Sequence, residues 1–385
     1  MMMILIAKTE SGKQIILAER MSKKDLLALR KRVTFYCPQC HEKVMLKIGE
    51  VKIPHFAHFN HSTCRSLFAE GESAAHLAGK RQLFTFFKEQ KALHVQLEPF
   101  IKKLAQRPDL LVETAKGKIP VEFQCSTIPI ADMMKRTAGY QRVFMQPIWI
   151  LATSNKLWQL PQGIVTYSLS RFEESFLTRS SNGKNMLLTY NSYSKKFHYL
   201  SALLRVSGRK FIVNHRVLSL TGQSFPFAEP NELTEAEYQN YYWLYASHRE
   251  KFLRNRILYN RKGVNDPFLR NCYRLRLIPS ELPLWIGVPV TFDAIFDEHD
   301  CEWQLALLYF IQQKGLSVCK VTANDLYEFA YHYGRMEERA LTAFGKYMEF
   351  LMLLGVTSFH DAFSVDELQK TLLQYLQKGM KIEKI

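Results

Sequence analysis

The 385-residue sequence has no apolar run long enough to cross a bilayer, so we expect no transmembrane helix. The apolar stretch at residues 1–7 is too short for a signal peptide and has no leading positive charge. The 7 cysteines are odd in number and follow no secretory signal, which predicts reduced thiols in the cytoplasm rather than a disulfide framework. Internal repeats and low-complexity tracts are also lacking. With 47% hydrophobic residues, the chain suits two or three folded domains.

Acidic residues are scarce, with 36 Asp and Glu against 52 Lys and Arg, which gives a net charge of +16. Because Lys and Arg gain affinity for phosphates by releasing counterions, this charge predicts a polyanionic partner. Charge alone does not separate DNA from RNA or anionic lipid. The excess is concentrated in residues 171–276, which contain 18 basic and 8 acidic residues, whereas residues 301–385 contain 9 basic and 10 acidic residues.

Basic and aromatic residues are interleaved in the basic aromatic segment, residues 241–276. Aromatic rings that stack on bases, next to guanidinium groups that bind phosphate, form a platform for single-stranded nucleic acid. The alternative is an amphipathic helix whose aromatic residues are core and whose arginines face water. The predicted nucleic-acid contacts are Arg249, Lys251, Arg254, Arg256, Arg261 and Lys262.

Two acidic residues flank a predicted hairpin. Asp109 comes directly before one strand and Glu122 ends the next, with residues 116–118 as the turn. Alternate residues on a strand share a face, so Glu122 and Gln124 project together while Phe123 points into packing. Asp109 and Glu122, with the Phe123 carbonyl, then offer the hard oxygen ligands that Mg²⁺ or Mn²⁺ prefers. The alternative is a Pro-Asp turn followed by a solvated strand residue.

Upstream of this hairpin, Glu72, His76 and Lys80 are spaced at four-residue intervals, which places them on one face of a helix predicted over 66–91. The elements that follow are a strand, the hairpin, a helix and a buried strand, at residues 94–98, 109–124, 132–144 and 148–151. This α-β-β-β-α-β order resembles the core of the PD-(D/E)XK, or restriction-endonuclease-like, nucleases.

The resemblance implies a role for each polar residue of this core. Asp109 and Glu122 would hold the metal ion, Glu72 would be an outer or second-metal ligand, and Gln124 would position the attacking water. Gln124 stands where that superfamily usually has lysine, and it brings no positive charge. The candidates for a replacement cation are Lys80, His76 and Arg136.

A cysteine knuckle precedes the helix. Cys37 and Cys40 form a CxxC pair that can supply two of the four ligands of a tetrahedral Zn²⁺, and a histidine and Cys64 can supply the other two. We predict His58 as the histidine ligand, with His55 and His61 as alternatives. A piece of this size has little core of its own, so Zn²⁺ would be structural. The alternative is a metal-free mini-domain whose cysteines merely pack.

The blocks FYCPQC, HFAHF, GESAAHLAGK, RPDLLVE and VEFQCSTIP, followed by Arg136 and Tyr140 before IWIL, occur in this order within residues 33–152. In them the chain resembles the competence protein CoiA family of naturally transformable Gram-positive bacteria. The resemblance implies a nuclease-like domain and a role in recombining incoming single-stranded DNA during transformation, with other recombination or competence proteins as further partners.

We therefore expect an α/β protein in three parts. Residues 1–65 form a hairpin and a zinc-finger-like module, residues 66–165 a nuclease-like α/β domain, and residues 166–385 the basic aromatic segment and a mainly helical C-terminal domain. The expected function is Mg²⁺- or Mn²⁺-dependent hydrolysis of single-stranded or branched DNA. A catalytically silent DNA-binding scaffold and an RNA-processing enzyme are the alternatives.

Overall fold

A six-stranded antiparallel sheet forms the N-terminal module, with strand order β1-β6-β5-β4-β2-β3. Helix α1 begins after Ser22, whose side chain accepts a hydrogen bond from the backbone N of Asp25. The elements are β1 (Met3–Ile4), β2 (Ile6–Thr9), β3 (Gln14–Ile16), α1 (Lys23–Arg32), β4 (Phe35–Tyr36), β5 (Lys43–Lys47) and β6 (His55–His58). The computed structural model describes residues 3–17, 21–49, 53–59, 73–91, 93–180, 183–292 and 295–382.

A nine-stranded mixed sheet follows, with strand order β11-β15-β14-β13-β10-β9-β8-β7 and β12 paired to β13 beside this path. The strands β9, β10 and β13 are parallel, and the other neighbours are antiparallel. The strands are β7 (His94–Leu97), β8 (Leu110–Thr114), β9 (Gly117–Gln124), β10 (Ile148–Ala152), β11 (Gly163–Ser168), β12 (Thr178–Arg179), β13 (Asn185–Asn191), β14 (Lys196–Ser207) and β15 (Lys210–Ser219).

Helices cover both faces of this sheet. Neighbouring residues of β10 point to opposite faces, so Ile150 packs in the cluster that contains α2, while Trp149 packs in the cluster that contains α3. The cluster around α2 also includes the N-terminal module, through residues such as Ile4 and Phe56. The helices are α2 (Ala74–Glu89), α3 (Ile130–Gln141), α4 (Asn155–Trp158) and α5 (Arg171–Glu174).

The sheet extends beyond the boundary predicted at residue 165, because β11, β13, β14 and β15 all join it. These strands pair with one another and with β10, so residues 166–219 share the hydrogen-bonded framework that carries the hairpin. The predicted boundary followed the last element of the expected nuclease core. It could not include strands that join the sheet later in the chain. The sheet therefore ends after Ser219.

The remainder is helical, as expected. Helix α6 starts with a capping box between Thr234 and Glu237 and packs on β14 and β15 through Tyr241 and Tyr245. Within the described residues no helix combines the length and apolar character needed to cross a membrane. The helices are α6 (Glu235–Leu258), α7 (Pro267–Arg274), α8 (Asp300–Gln313), α9 (Ala323–Tyr333), α10 (Glu338–Leu354) and α11 (Val365–Ile382), of which α7 was not predicted.

Candidate functional site

Asp109 lies immediately before β8, where its carboxylate meets side chains of α2 and the backbone of β9. Its Oδ2 accepts a hydrogen bond from the Phe123 backbone N at 2.8 Å and lies 3.2 Å from His76 Nε2. Its Oδ1 lies 3.6 Å from Lys80 Nζ. The helix face that carries His76 and Lys80 therefore lies over the hairpin, and its groups fix the orientation of the Asp109 carboxylate.

The close approach of α2 to β9 depends on Gly79. A Cβ at this position would lie 2.1 Å from a ring atom of Phe123. Phe123 is only 2% exposed, in agreement with its predicted inward direction. Because glycine leaves room for this ring, the helix can rest on the strand and bring the neighbouring His76 and Lys80 to Asp109.

Glu122 is buried on β9 and receives its partners from α3. Its Oε1 accepts hydrogen bonds from Arg136 Nη2 and from the Tyr140 hydroxyl, the latter at 2.5 Å. Arg136 and Tyr140 are four residues apart on α3, so they share a helix face. Of the cations considered as replacements for the usual lysine, Arg136 thus binds Glu122 and Lys80 lies beside Asp109.

The two carboxylates differ in their titration. Burial would raise the pKa of Asp109, but the charges of His76 and Lys80 outweigh this and hold the pKa well below its usual range. Burial raises the pKa of Glu122 despite the opposing charge of Arg136, and the charge of Asp109 contributes to the rise. A divalent cation bound between the carboxylates would relieve their repulsion, so it would lower the pKa of Glu122.

One oxygen of each carboxylate, Asp109 Oδ1 and Glu122 Oε2, accepts no hydrogen bond from the described residues, although Lys80 Nζ lies 3.6 Å from Asp109 Oδ1. Mg²⁺ and Mn²⁺ bind carboxylate oxygens of this kind and complete their coordination with water and substrate phosphates. The two acids therefore fit a hard divalent cation. Glu72, the predicted additional ligand, lies outside the described residues.

Gln124 lies on the same face of β9 as Glu122, but its amide nitrogen points toward the loop that follows the strand. Gln124 Nε2 donates to Ser126 O at 2.8 Å and lies 3.4 Å from Ser126 Oγ. With its donor group engaged, Gln124 offers the carbonyl oxygen Oε1, which can orient a water only by accepting a hydrogen bond from it.

Sequence reasoning missed Glu98. Lys80 Nζ donates to Glu98 Oε1 at 2.6 Å, and both side chains are buried, with 1% and 3% exposure. Glu98 stood at the end of the predicted strand 94–98 without a recognisable motif. Its role becomes visible only because α2 packs across β7 and brings a lysine to it.

The Tyr140 hydroxyl gives a testable pH effect. Its hydrogen bond to Glu122 lowers the pKa of that carboxyl, so Tyr140→Phe should raise it further. If Glu122 is a ligand of Mn²⁺, it binds in its ionised form, so as pH falls the variant should lose Mn²⁺ at a higher pH than the wild type. Titration of Mn²⁺ affinity against pH measures this shift.

The matched control for this titration is Tyr167→Phe, which removes a hydroxyl that donates to Glu173 at 2.6 Å in the same sheet. It should leave the pH dependence of Mn²⁺ binding at the wild-type position. Identical profiles for all three proteins would show that Tyr140 does not tune Glu122.

The N-terminal module contains a second candidate metal centre. Cys37, Cys40 and His58 place their ligand atoms within 4.8 Å of one another, with Cys40 Sγ 3.3 Å from His58 Nε2. Burial raises the pKa of the Cys37 thiol, and the hydrogen bond that the backbone N of Gln39 donates to Cys37 Sγ at 3.4 Å partly opposes this rise. Two sulfurs and an imidazole nitrogen fit three corners of a tetrahedral Zn²⁺. Cys64, the predicted fourth ligand, lies outside the described residues.

The histidine in this centre is the predicted one. His58 ends β6 and faces the CxxC turn, whereas His55 Nδ1 lies 2.9 Å from Ile53 O. The other alternative, His61, lies outside the described residues. A strand that alternates its faces explains this choice, because residues 55 and 58 project in opposite directions.

Arg249 does not face solvent as predicted. It is 7% exposed, and its guanidinium donates to the backbone oxygens of Leu282, Pro283 and Ile286 at 2.8–3.0 Å. These bonds fix the loop at residues 282–286 against α6. Because the side chain is buried and its guanidinium is bonded to these backbone oxygens, we remove Arg249 from the expected nucleic-acid contacts.

Arg256 is also held within the protein. Its guanidinium lies 3.1 Å from Asp266 and 2.5 Å from Glu302, and its side chain is 26% exposed. The aromatic residues of the segment are divided between core and surface: Tyr241 and Tyr245 are 2% exposed, whereas Tyr259 is 74% exposed. The alternative interpretation holds for the core residues Tyr241 and Tyr245 but not for Arg249, which is buried, whereas the nucleic-acid platform stays a prediction.

Three of the other predicted contacts, Lys251, Arg261 and Lys262, line a cleft of about 520 Å³ between the β14–β15 turn and the end of α6. Lys210 and His248, which sequence reasoning missed, join this cleft because the long hairpin returns to α6. Arg254, the sixth predicted contact, is exposed on α6 but does not line the cleft. The lining includes Lys210, His248, Lys251, Asn255, Arg256, Tyr259, Asn260, Arg261 and Lys262.

Two family models and one curated relative match the chain. The family model described as competence protein CoiA, N-terminal domain, matches residues 18–67, and that described as competence protein CoiA, nuclease-like domain, matches residues 72–229. No solved structure matches the chain. A curated relative, competence protein CoiA of Bacillus subtilis (strain 168), is 33% identical over 296 residues, which cover 74% of each chain. The chain therefore belongs to the competence protein CoiA family.

Proposed function

We propose that this protein processes incoming single-stranded DNA in natural transformation as a Mg²⁺- or Mn²⁺-dependent nuclease. The observation that carries the proposal is the pair of acids on one hairpin, the partly buried Asp109 just before β8 and the buried Glu122 on β9, whose charges influence each other. Family membership supports the role in competence, and the match to a nuclease-like domain supports the reaction class.

The element order supports a PD-(D/E)XK core. Helix α2, the strands β7, β8 and β9, helix α3 and strand β10 follow the expected α-β-β-β-α-β sequence, with β9 and β10 parallel. Asp109 precedes the second strand and Glu122 lies near the end of the third. This is the arrangement in which two acids meet at one edge of the sheet.

In this mechanism Asp109 and Glu122 would hold a divalent metal ion, which would supply Lewis acidity and activate a water. His76 and the Phe123 N–H keep the Asp109 carboxylate in its orientation. Gln124 Oε1 accepts a hydrogen bond from the attacking water and so aligns it. Arg136, which binds Glu122, would supply the positive charge that the transition state requires in place of the usual lysine, because Lys80 is paired with Glu98.

The basic cleft offers a path for the DNA strand. Its residues Lys210 and Lys251 carry positive charge beside the exposed ring of Tyr259, which can stack on a base. In the sheet, three strands separate β15 from β9, a span of about 19 Å. We infer that the cleft binds the strand at a distance from the bond that is cut.

The salt dependence of DNA binding tests this path. Replacing Lys251, Arg261 and Lys262 by alanine should reduce the slope of log K against log salt by about 2, since each phosphate contact to a single strand contributes about 0.7. Fluorescence anisotropy with labelled single-stranded DNA measures the slope. The control replaces three exposed basic residues of the C-terminal region, Lys320, Arg339 and Lys370. Equal slopes for both triple variants would contradict a DNA-binding cleft.

A catalytically silent recombination scaffold is the second candidate. The observation that favours it is that Arg136 and Tyr140 already satisfy one oxygen of Glu122, while the Gln124 amide is engaged by Ser126. Such a protein would bind DNA through the cleft and recruit other recombination or competence proteins. In either case, the Cys37, Cys40 and His58 set would hold a structural Zn²⁺, and the free cysteines of the described residues suit the cytoplasm.

Transformation frequency separates the two candidates. A chromosomal Asp109→Asn allele should reduce transformation to the level of a deletion if cleavage is required. Glu113→Gln, a change in an acid at the far end of β8, is the control and should transform normally. Full transformation by Asp109→Asn, with normal protein abundance, would favour the scaffold.

A further inference from the structure

Glu98 connects three parts of the molecule through one buried residue. Its Oε1 accepts from Lys80 Nζ at 2.6 Å, and its Oε2 accepts from the backbone N of Leu5, in the N-terminal module, at 3.2 Å. Its own backbone N donates to Asp109 O at 2.8 Å. A single residue therefore contacts α2, the N-terminal module and the backbone of the candidate metal ligand.

The backbone of Glu98 is strained. Its φ of 47° lies in the left-handed region, which is unfavourable for a residue with a Cβ. Such conformations persist where surrounding contacts determine them. Here the left-handed turn directs the carboxylate of Glu98 back to Lys80 while its N–H remains bonded to Asp109.

Lys80 lies between two acids, Glu98 and Asp109. Its ammonium is 2.6 Å from Glu98 and 3.6 Å from Asp109, so it interacts more strongly with Glu98. The charge of Asp109 then remains for a cation. Without the Glu98 charge, the ammonium would turn to Asp109 and oppose a metal ion there.

We infer that Glu98 is a positioning residue, which holds Lys80 off Asp109 and so keeps Asp109 competent to bind a divalent metal. Through the N–H of Leu5, the N-terminal module completes this support. The inference rests on the proposed metal-dependent function of the Asp109 site.

Glu98→Gln keeps the shape of the side chain and removes its charge. We expect the Mn²⁺ affinity of the DNA-free protein, measured by electron paramagnetic resonance, to fall about tenfold, as for other groups that orient metal ligands. The half-saturating Mn²⁺ concentration for cleavage should rise by a similar factor. Glu173→Gln, which alters a buried glutamate bonded to Tyr167 and Ser170 instead, should change neither value.

A double-variant comparison tests whether Glu98 acts through Lys80. In a Lys80→Met background, Glu98→Gln should leave Mn²⁺ affinity unchanged, because no ammonium remains to be held away. The double variant can also be measured if Glu98→Gln alone is unstable, because removing both the lysine and the glutamate charge leaves neither of them buried without its partner. A tenfold effect of Glu98→Gln in the Lys80→Met background would overturn the inference.

The outcomes separate this inference from the proposed function. A wild-type protein that binds Mn²⁺ and cuts DNA, with a Glu98→Gln variant that matches it in both, overturns the role of Glu98 and leaves the nuclease intact. A wild-type protein that neither binds Mn²⁺ at Asp109 nor cuts DNA overturns both.

Discussion

Replacing Cys37 by serine is expected to remove zinc from the protein and to unfold much of the N-terminal module. Structural Zn²⁺ binds small modules with an apparent free energy on the order of 10 kcal/mol, and the loss of one thiolate removes most of it. The sheet of the module is short-stranded, with two strands of only 2 residues, so little else fixes the CxxC turn. Elemental analysis should find one zinc ion per wild-type chain and far less in the variant.

The effect should reach beyond the module, because Ile4 and Phe56 pack in the same apolar cluster as α2. Thermal unfolding should therefore begin at a lower temperature in Cys37→Ser. Cys319→Ser changes an exposed cysteine outside the cluster and is the matched control. A wild-type protein without zinc, together with equal stability of Cys37→Ser, would contradict a structural metal centre.

Asp109→Asn and Glu122→Gln are expected to abolish cleavage while DNA binding remains. Each change removes a negative charge and a proposed metal ligand, so Mn²⁺ binding should weaken and the cleavage rate should fall at least about a hundredfold. DNA affinity should stay within about twofold of the wild type, because the proposed DNA-binding surface is the basic cleft, away from these acids. Single-turnover cleavage and anisotropy, measured on the same preparations, separate these effects.

The control for these substitutions is again Glu113→Gln, whose side chain pairs with Lys118 at 2.7 Å and lies 31% exposed. It should cleave like the wild type. Loss of DNA affinity in Asp109→Asn would instead show that the acids stabilise the fold or contact DNA, and it would count against a metal site.

The acids could be found from sequence because their geometry is local. Asp109 and Glu122 belong to one hairpin, whose register pairs Leu110 with Val121, so alternation and a turn suffice to bring them together. His76 and Lys80 follow from helical periodicity in the same way. The CxxC turn and His58 are likewise close in the chain.

The features that sequence reasoning missed depend on distant packing. The bond from the Leu5 backbone to Glu98 joins residues 93 positions apart, and no pattern in either segment indicates it. The sequence predicts Arg249 to be a surface cation. It is buried because it binds backbone oxygens of a loop more than thirty residues later in the chain. Lys210 enters the cleft only through the geometry of the long β14–β15 hairpin.

The most direct test of the central claim is cleavage by the purified wild-type protein. End-labelled single-stranded, flapped and duplex DNA, with a matched single-stranded RNA, should be incubated with Mn²⁺, with Mg²⁺ and with chelator. The nuclease account predicts that a single-stranded or branched DNA is cut with metal, that chelator stops the reaction, and that a parallel Asp109→Asn preparation is inactive. The absence of cutting on every substrate with either metal, or equal cutting by Asp109→Asn, would contradict it.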